Sequence, residues 1–109
     1  MNPDDVYRQY MTAGNKWADA SGAADLLETS LKSLKAKLAI QAKSRQGCSM
    51  AEATELALAD DAYRKAAEDA VEARLQANRA KVGYDACKAL FEARRTAAAT
   101  ERAAMGAAT

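Results

Sequence analysis

The sequence contains no histidine, one proline, five glycines and six aromatic residues in 109. Valine and isoleucine together supply only four residues, whereas β-sandwiches and barrels need β-branched and aromatic residues with frequent turns. Because histidine is the commonest general base and metal ligand, its absence excludes many active sites, including di-iron bundles built on Glu-x-x-His pairs. No apolar run approaches the roughly 18 residues of a membrane span. An all-β fold, histidine-dependent chemistry and a transmembrane chain are therefore not expected.

Alanine is the residue that the chain has in excess, with 29 copies. Together with Glu, Lys, Leu and Arg it gives the composition typical of long helices and coiled coils. The length allows one domain, too small for a deep catalytic cleft. Gly-rich phosphate loops, nucleophile elbows and paired-carboxylate motifs do not occur in the sequence. We therefore predict an all-α protein that is not an enzyme and that has no cofactor and no metal site.

Apolar residues recur at alternating intervals of three and four in both halves of the chain. In the first half these positions are Val6, Tyr10, Ala13, Trp17, Ala20, Ala24, Leu27, Leu31, Leu34 and Leu38. In the second half they are Tyr63, Ala66, Ala70, Ala73, Ala77, Ala80, Tyr84, Cys87, Phe91 and Ala98, with Arg94 as a charged interruption. We call each set a seam, because this spacing predicts the contact line of a coiled coil.

Folding the second seam antiparallel onto the first pairs large residues with small ones. The register that we predict from this pairing places Leu34 opposite Ala70 and Trp17 opposite Cys87. Alanine on one side of most layers allows the two helices to approach closely. The predicted fold is a long antiparallel helical hairpin with an alanine-rich, coiled-coil-like seam.

Charge is distributed in four blocks of alternating sign, although the chain as a whole carries only +1. The blocks are residues 1–31 with −3, 32–45 with +5, 46–72 with −5 and 73–109 with +4. An antiparallel hairpin brings blocks of opposite sign together, which favours that orientation over the alternatives.

Capping residues set the predicted boundaries. Asn2 and Pro3 suit the start of the first helix, and the capping box from Ser49 to Glu52 predicts a short helix over about 50–58. The predicted elements are a helix over about 3–44, a connector with the short helix over about 45–60, a helix over about 61–104 and a frayed tail over 105–109, all in a single domain of residues 1–109. Gly22 and Gly83 face each other in the register, which predicts a close approach or a kink there.

The two cysteines match no zinc or CxxC spacing. We expect Cys87 to be a buried thiol in the seam and Cys48 to be an incidental thiol in a polar loop. An intramolecular disulfide is excluded, because Cys87 lies about 26 residues along the second long helix, which at about 1.5 Å per residue is roughly 40 Å from the loop that contains Cys48. The aromatic residues Tyr7, Tyr10, Trp17, Tyr84 and Phe91 cluster at the open end of the hairpin, and four of the five follow the seam spacing, so we expect them to pack in the core.

Several apolar residues fall outside the seams and predict a surface for self-association or for a partner. They are Leu26, Val71, Leu75, Val82 and Leu90. Because a two-helix hairpin has little interior of its own, we expect association into a helical bundle, as a homodimer or higher oligomer. The rival interpretation is a groove that another protein fills.

Nucleic-acid binding is the alternative function that the basic residues suggest. The candidate phosphate contacts are Arg74, Arg79, Lys88, Arg94 and Arg95. A net charge of +1 does not favour this function. Binding to a membrane surface is not expected, because the apolar faces are mostly alanine.

Five segments of the chain carry a resemblance to a known family. They are Leu-Leu-Glu-Thr at 26–29, Ser-Met-Ala-Glu-Ala at 49–53, Ala-Tyr-Arg at 62–64, Ala-Arg-Leu-Gln-Ala-Asn-Arg at 73–79 and Phe-Glu-Ala-Arg-Arg at 91–95. Together they resemble a family of small helical phage and prophage proteins encoded among early replication and recombination genes. The resemblance implies an accessory protein in the cytoplasm of the host cell and supplies no catalytic residues. It leaves open an inhibitor or adaptor of a host or phage protein and, as the alternative, a nucleic-acid-binding accessory of replication or recombination.

Overall fold

The computed structural model describes residues 2–108, and this part of the chain contains three α-helices and no strand. Helix α1 spans Pro3–Gln46, α2 spans Met50–Ala59 and α3 spans Asp61–Ala108. Helices α1 and α3 pack together, so the fold is the predicted all-α helical hairpin with a short helix in the connector. None of the described helices is both long enough and apolar enough to cross a membrane.

Contacts divide the chain into two compact units. The terminal unit comprises Met1–Asp19 and Asn78–Thr109, and the loop unit comprises Ala20–Ala77. Each unit contains a segment of α1 and a segment of α3, and the loop unit also contains α2. The sequence predicted a single domain and gave no sign of this division.

Both ends of α1 are capped. The side-chain oxygen of Asn2 accepts a hydrogen bond of 3.0 Å from the backbone N–H of Asp5, as the sequence predicted. At the other end, Gly47 has a φ of +63° and donates its N–H to the carbonyl of Lys43 at 2.9 Å. Glycine adopts this left-handed conformation without strain, so it ends the helix. The helix continues to Gln46, two residues beyond its predicted end.

Capping hydrogen bonds fix both ends of α2 and the start of α3. Ser49 Oγ accepts from the backbone N–H of Glu52 at 3.2 Å, which confirms this half of the predicted capping box. Asp60 donates its own N–H to the carbonyl of Ala57 and accepts from the N–H of Ala62 at 2.8 Å. One residue therefore separates the two helices, and its side chain starts the second.

Helix α3 continues to Ala108, four residues beyond its predicted end, so residues 105–108 are helical rather than frayed. Alanine has the highest helix propensity, and the last residues of this segment are mostly alanine. Residue 109, the end of the predicted tail, lies outside the described residues.

The buried side chains are small. Those described as buried are Val6, Ala24, Ala39, Ala53, Ala57, Ala70, Ala77 and Ala80. On α3 the predicted seam is buried or half-buried at every position from Tyr63 to Phe91, which confirms it over that range. Farther along, Arg94 and Ala98 are exposed, and on α1 Leu27 is exposed.

Helix α2 packs on the end of α1 through three buried alanines: Ala39 from α1 and Ala53 and Ala57 from α2. Leu38 and Cys48 are half-buried against this group. Small side chains on both helices allow close approach at little cost in conformational entropy.

Candidate functional site

Five aromatic side chains form a continuous cluster in the terminal unit. Tyr10 stacks on Tyr84 with ring centroids 5.4 Å apart and an angle of 28° between the rings. Trp17 stacks on Tyr84 at one end of the cluster, with ring centroids 5.0 Å apart. Phe91 contacts Tyr10 at 5.1 Å and Tyr7 at 6.0 Å. The predicted packing of the aromatic residues is confirmed for the four seam residues, whereas Tyr7 is half exposed.

These ring contacts correct the predicted register. Trp17 packs on Tyr84 rather than opposite Cys87, and Phe91 is contacted by Tyr10. The relative position of the helices in this unit therefore differs by about one turn from the prediction. A shift by one seam position keeps both seams facing each other, so heptad spacing alone does not distinguish neighbouring registers. Stacking of large rings, which buries more apolar area than Trp17 against a thiol, favours the observed one.

Gly14 allows α1 to approach the ring of Tyr84. A Cβ atom at this position would lie 3.3 Å from Tyr84 Cε2. By contrast, Cβ atoms at Gly22 and Gly83 would meet nothing within 4 Å. The close approach, one of the two alternatives predicted at these glycines, is therefore wrong, and the other alternative, a kink, stays a prediction. The glycine that packs tightly is the one nearest the aromatic cluster.

The hydroxyl groups of Tyr10 and Tyr84 are hydrogen-bonded at 3.1 Å. This bond raises the pKa of Tyr10 above its ordinary value, and burial and the nearby Tyr84 add to the effect, while Lys88 opposes it. At neutral pH Tyr10 is therefore a neutral phenol, and its hydroxyl shares one hydrogen bond with that of Tyr84.

Arg74 joins the two long helices in the loop unit. Its Nε and one terminal nitrogen donate to the two carboxylate oxygens of Glu28 at 2.9 and 2.8 Å. The same terminal nitrogen also donates to Asp25. A bidentate arginine–carboxylate pair combines charge with fixed geometry, so it orients α3 against α1. The hydrogen bond from Arg74 lowers the pKa of Glu28 below its usual value.

This pairing changes the interpretation of the predicted phosphate contacts. Two carboxylates occupy the guanidinium of Arg74, so the structure places it in a contact between helices. The other candidates, Arg79, Lys88, Arg94 and Arg95, are exposed and make no ion pair with another described residue. Arg94 and Arg95 both line a groove of the terminal unit that also includes Val6 and Phe91.

The apolar residues predicted as a partner surface are all exposed, but they do not form one patch. Leu26 is two residues from buried Ala24, a rotation of about 200° on a helix, so it faces away from α3. Leu75 is related in the same way to buried Ala77 and faces away from α1. Val71 lies one turn from Leu75 and is 70% exposed. Within the loop unit, Val71 and Leu75 thus share one side, and Leu26 lies on the other.

The remaining two residues of that predicted surface belong to the terminal unit. Val82 is 70% exposed and Leu90 is 39% exposed. Val82 lies two residues from both buried Ala80 and half-buried Tyr84, so it faces away from α1. Leu90 directly precedes half-buried Phe91 and lies at the edge of the contact between the helices.

Both cysteines are free thiols. Cys87 is half-buried at its predicted seam position. Cys48, which we expected to be an incidental loop thiol, is half-buried against the alanines that join α1 and α2. Its Sγ lies 3.9 Å from the carbonyl oxygen of Ala42. Because Gly47 reverses the chain just before it, Cys48 turns inward, and spacing alone did not predict this.

Over residues 2–108, no three potential metal-ligating side chains come together. Comparison of the chain with protein-family models, curated proteins and solved structures finds no match. The class that the fold defines is an all-α helical hairpin with an alanine-rich contact line, an aromatic cluster and exposed apolar side chains on its outer faces.

Proposed function

We propose that the protein acts without catalysis, through protein–protein contacts, as a helical hairpin that associates with itself. The observation that carries this proposal is the amount of surface that the single chain leaves exposed. Its accessible surface is 7831 Å², whereas a compact monomer of 11.6 kDa exposes about 5,800 Å². The excess is roughly 2,000 Å², and a standard protein interface buries about 800 Å² on each partner.

The kind of side chain left exposed supports the same proposal. Val6 is the only buried residue larger than alanine among those described. The leucines of the α1 seam are half-buried or exposed. Association with a second hairpin through exposed apolar side chains produces a bundle with a larger core than one hairpin has. The near-neutral charge of +1 means that two copies do not repel each other strongly.

We assign the interface to the side of the loop unit that carries Val71 and Leu75. These two residues lie one turn apart on α3 and are both exposed. Basic Arg64 and acidic Glu72 belong to the same segment of α3 within the loop unit. A twofold interface brings each such residue near the partner's copy of the same surface, so a face that carries both signs is compatible with self-association.

The experiment compares two variants that each lose exposed apolar side chains. In the first, Val71→Gln is combined with Leu75→Gln. In the second, the control, Leu26→Gln removes an apolar side chain that is 67% exposed on the opposite side of the same unit. Sedimentation velocity over a hundredfold range of concentration measures association, and circular dichroism verifies that each variant stays helical.

We expect the double variant to sediment as a monomer at concentrations at which the native chain and Leu26→Gln associate. Equal association of all three proteins would contradict the assigned face. A native chain that stays monomeric throughout would contradict self-association itself.

The biological setting that we propose follows from the resemblance to small phage proteins. In that setting the bundle is an accessory in the host cytoplasm, where it inhibits or connects a host or phage protein. Affinity capture from the host cell tests this part of the proposal. A specific partner lost in the Val71→Gln, Leu75→Gln variant supports it, and capture unaffected by those substitutions counts against the assigned face.

A nucleic-acid-binding accessory is the second candidate, because Arg94 and Arg95 line an apolar groove and form no ion pair with a described residue. Phosphate contacts release counterions, so binding of this kind falls steeply with salt. Titration of single- and double-stranded DNA and RNA at low salt is the test. Binding that disappears when both arginines are changed to alanine supports this candidate, and absence of binding at low salt excludes it.

A further inference from the structure

Tyr10 and Tyr84 are held in a geometry that goes beyond ordinary core packing. Their hydroxyl oxygens are 3.1 Å apart, whereas their ring centroids are 5.4 Å apart. With only 28° between the ring planes, the two rings converge at their phenol ends. The carbons that flank each hydroxyl, where a phenoxyl radical carries much of its unpaired spin, are therefore brought towards the other ring.

We propose that this tyrosine pair is a site of oxidative crosslinking, at which a one-electron oxidant such as a peroxidase with hydrogen peroxide joins α1 to α3 through dityrosine. The proposal concerns a covalent modification and does not depend on self-association. The pair lies within the terminal unit, so the bond forms inside one chain.

The reaction balances with two equivalents of oxidant. Each phenol loses one electron to the oxidant and one proton to water, which gives two phenoxyl radicals. Coupling forms one carbon–carbon bond between the positions ortho to the two hydroxyls, because the para positions already carry the side-chain methylenes. Loss of the two ring protons from those carbons to the phenoxyl oxygens restores both aromatic rings. The chain has then lost two hydrogen atoms, and hydrogen peroxide, where it is the final oxidant, has become two molecules of water.

The surroundings favour coupling at this pair. Trp17 stacks on Tyr84 at 5.0 Å and offers a second point of entry, because an oxidised indole can take an electron from the adjacent phenol. The ring contacts between described residues include no other pair of tyrosines. Tyr7 contacts Phe91, and Tyr63 belongs to the loop unit. The four tyrosines thus provide one pair and two internal controls.

The crosslink has a structural consequence that an isolated modification lacks. It fixes the register of α1 on α3 in the terminal unit, which ring stacking and the hydrogen bond between the two hydroxyls otherwise maintain. Linking residues distant in sequence also restricts the unfolded chain, so the crosslinked protein is expected to resist denaturation more strongly. Through this pair, oxidising conditions join the two long helices of the hairpin by a covalent bond.

The test uses the full chain, oxidised either by peroxidase with hydrogen peroxide or by a photo-oxidised ruthenium complex with persulfate. We expect dityrosine fluorescence in the gel band of the monomeric chain and a mass lower by two hydrogens. A linked pair of peptides should contain residues 10 and 84. The rate at low conversion should not depend on protein concentration, and unfolding in urea should abolish the product.

Four single variants give the decisive comparison. Tyr10→Phe and Tyr84→Phe each remove one hydroxyl and should reduce intrachain dityrosine to background, while Tyr7→Phe and Tyr63→Phe should retain it. Persistence of the product in Tyr10→Phe, or a linked peptide that maps to Tyr7 or Tyr63, would overturn the proposal. Dityrosine found only between separate chains of the native protein would overturn it as well, whatever the stability of the variants.

Discussion

Arg74 is the residue on which the electrostatic contact between the long helices depends in the loop unit. Because its hydrogen bond lowers the pKa of Glu28, the ionised carboxylate is favoured in the folded chain. The resulting stabilisation is present above the usual Glu pKa of 4.5 and is lost as the pH falls through the lower folded value. We therefore predict that Arg74→Gln lowers the stability at neutral pH and makes it less sensitive to acid.

Urea denaturation at pH 7 and pH 3 measures this effect. Other carboxylates titrate in the native chain and in Arg74→Gln alike. The difference in acid sensitivity between these two proteins therefore reports the contact between Arg74 and Glu28. Arg79→Gln is the matched control, because Arg79 forms no ion pair within residues 2–108. The same dependence on acid in all three proteins would show that the contact adds nothing to stability.

Two glycines in α1 provide a matched test of the packing around Tyr84. Replacing glycine by alanine inside a helix gains about 1 kcal/mol in propensity. Gly22→Ala should gain this amount, because nothing lies within 4 Å of the new methyl group. Gly14→Ala should gain less or lose stability, because its methyl group presses against the Tyr84 ring at 3.3 Å. Thermal denaturation followed at 222 nm compares the two, and equal gains would mean that the ring moves aside freely.

At the scale of single residues, the sequence predicted which side chains face inward better than it predicted which side chains they contact. Heptad spacing correctly indicated that Tyr10 and Tyr84 face inward. It did not predict their hydrogen bond or the pairing of Arg74 with Glu28, because each depends on a distance across two helices. A periodic pattern specifies the face of one helix but says nothing about which side chain on the neighbouring helix meets it.

Among the elements, α2 depends most on its caps, because ten residues are too few for a stable isolated helix. Ser49→Ala removes the oxygen that accepts from Glu52 and should destabilise the folded chain by about 1 kcal/mol. Ser44→Ala, at an exposed position of α1, is the control and should leave stability unchanged. Hydrogen exchange should show faster opening of residues 50–59 in Ser49→Ala alone. Unchanged exchange there would mean that the alanine contacts with α1 hold the helix without its cap.

Element boundaries could be predicted from the sequence because caps are local. Asn2 and Ser49 cap the helices that their types predicted, and Asp60 caps α3 as well. The register in the terminal unit could not be predicted in this way. Neighbouring registers preserve the seams equally well, and only the packing energies of particular rings distinguish them.

On the scale of the whole molecule, the 29 alanines explain both the fold and the proposed role. Alanines are all but one of the side chains described as buried, while the leucines of the α1 seam stay half-buried or exposed. The sequence therefore specifies a hairpin readily while supplying little interior for it. A second copy adds apolar surface against which exposed side chains of the first are buried, which links the composition to the proposed self-association.

The molar mass of the native chain in solution tests this account most directly. Size-exclusion chromatography with light scattering should be run at concentrations from about one to several hundred micromolar, because association depends on concentration by mass action. We predict a mass of at least twice 11.6 kDa at the upper end, with a thermal midpoint that rises with concentration. A mass of 11.6 kDa over the whole range, with a constant midpoint, would contradict the central claim.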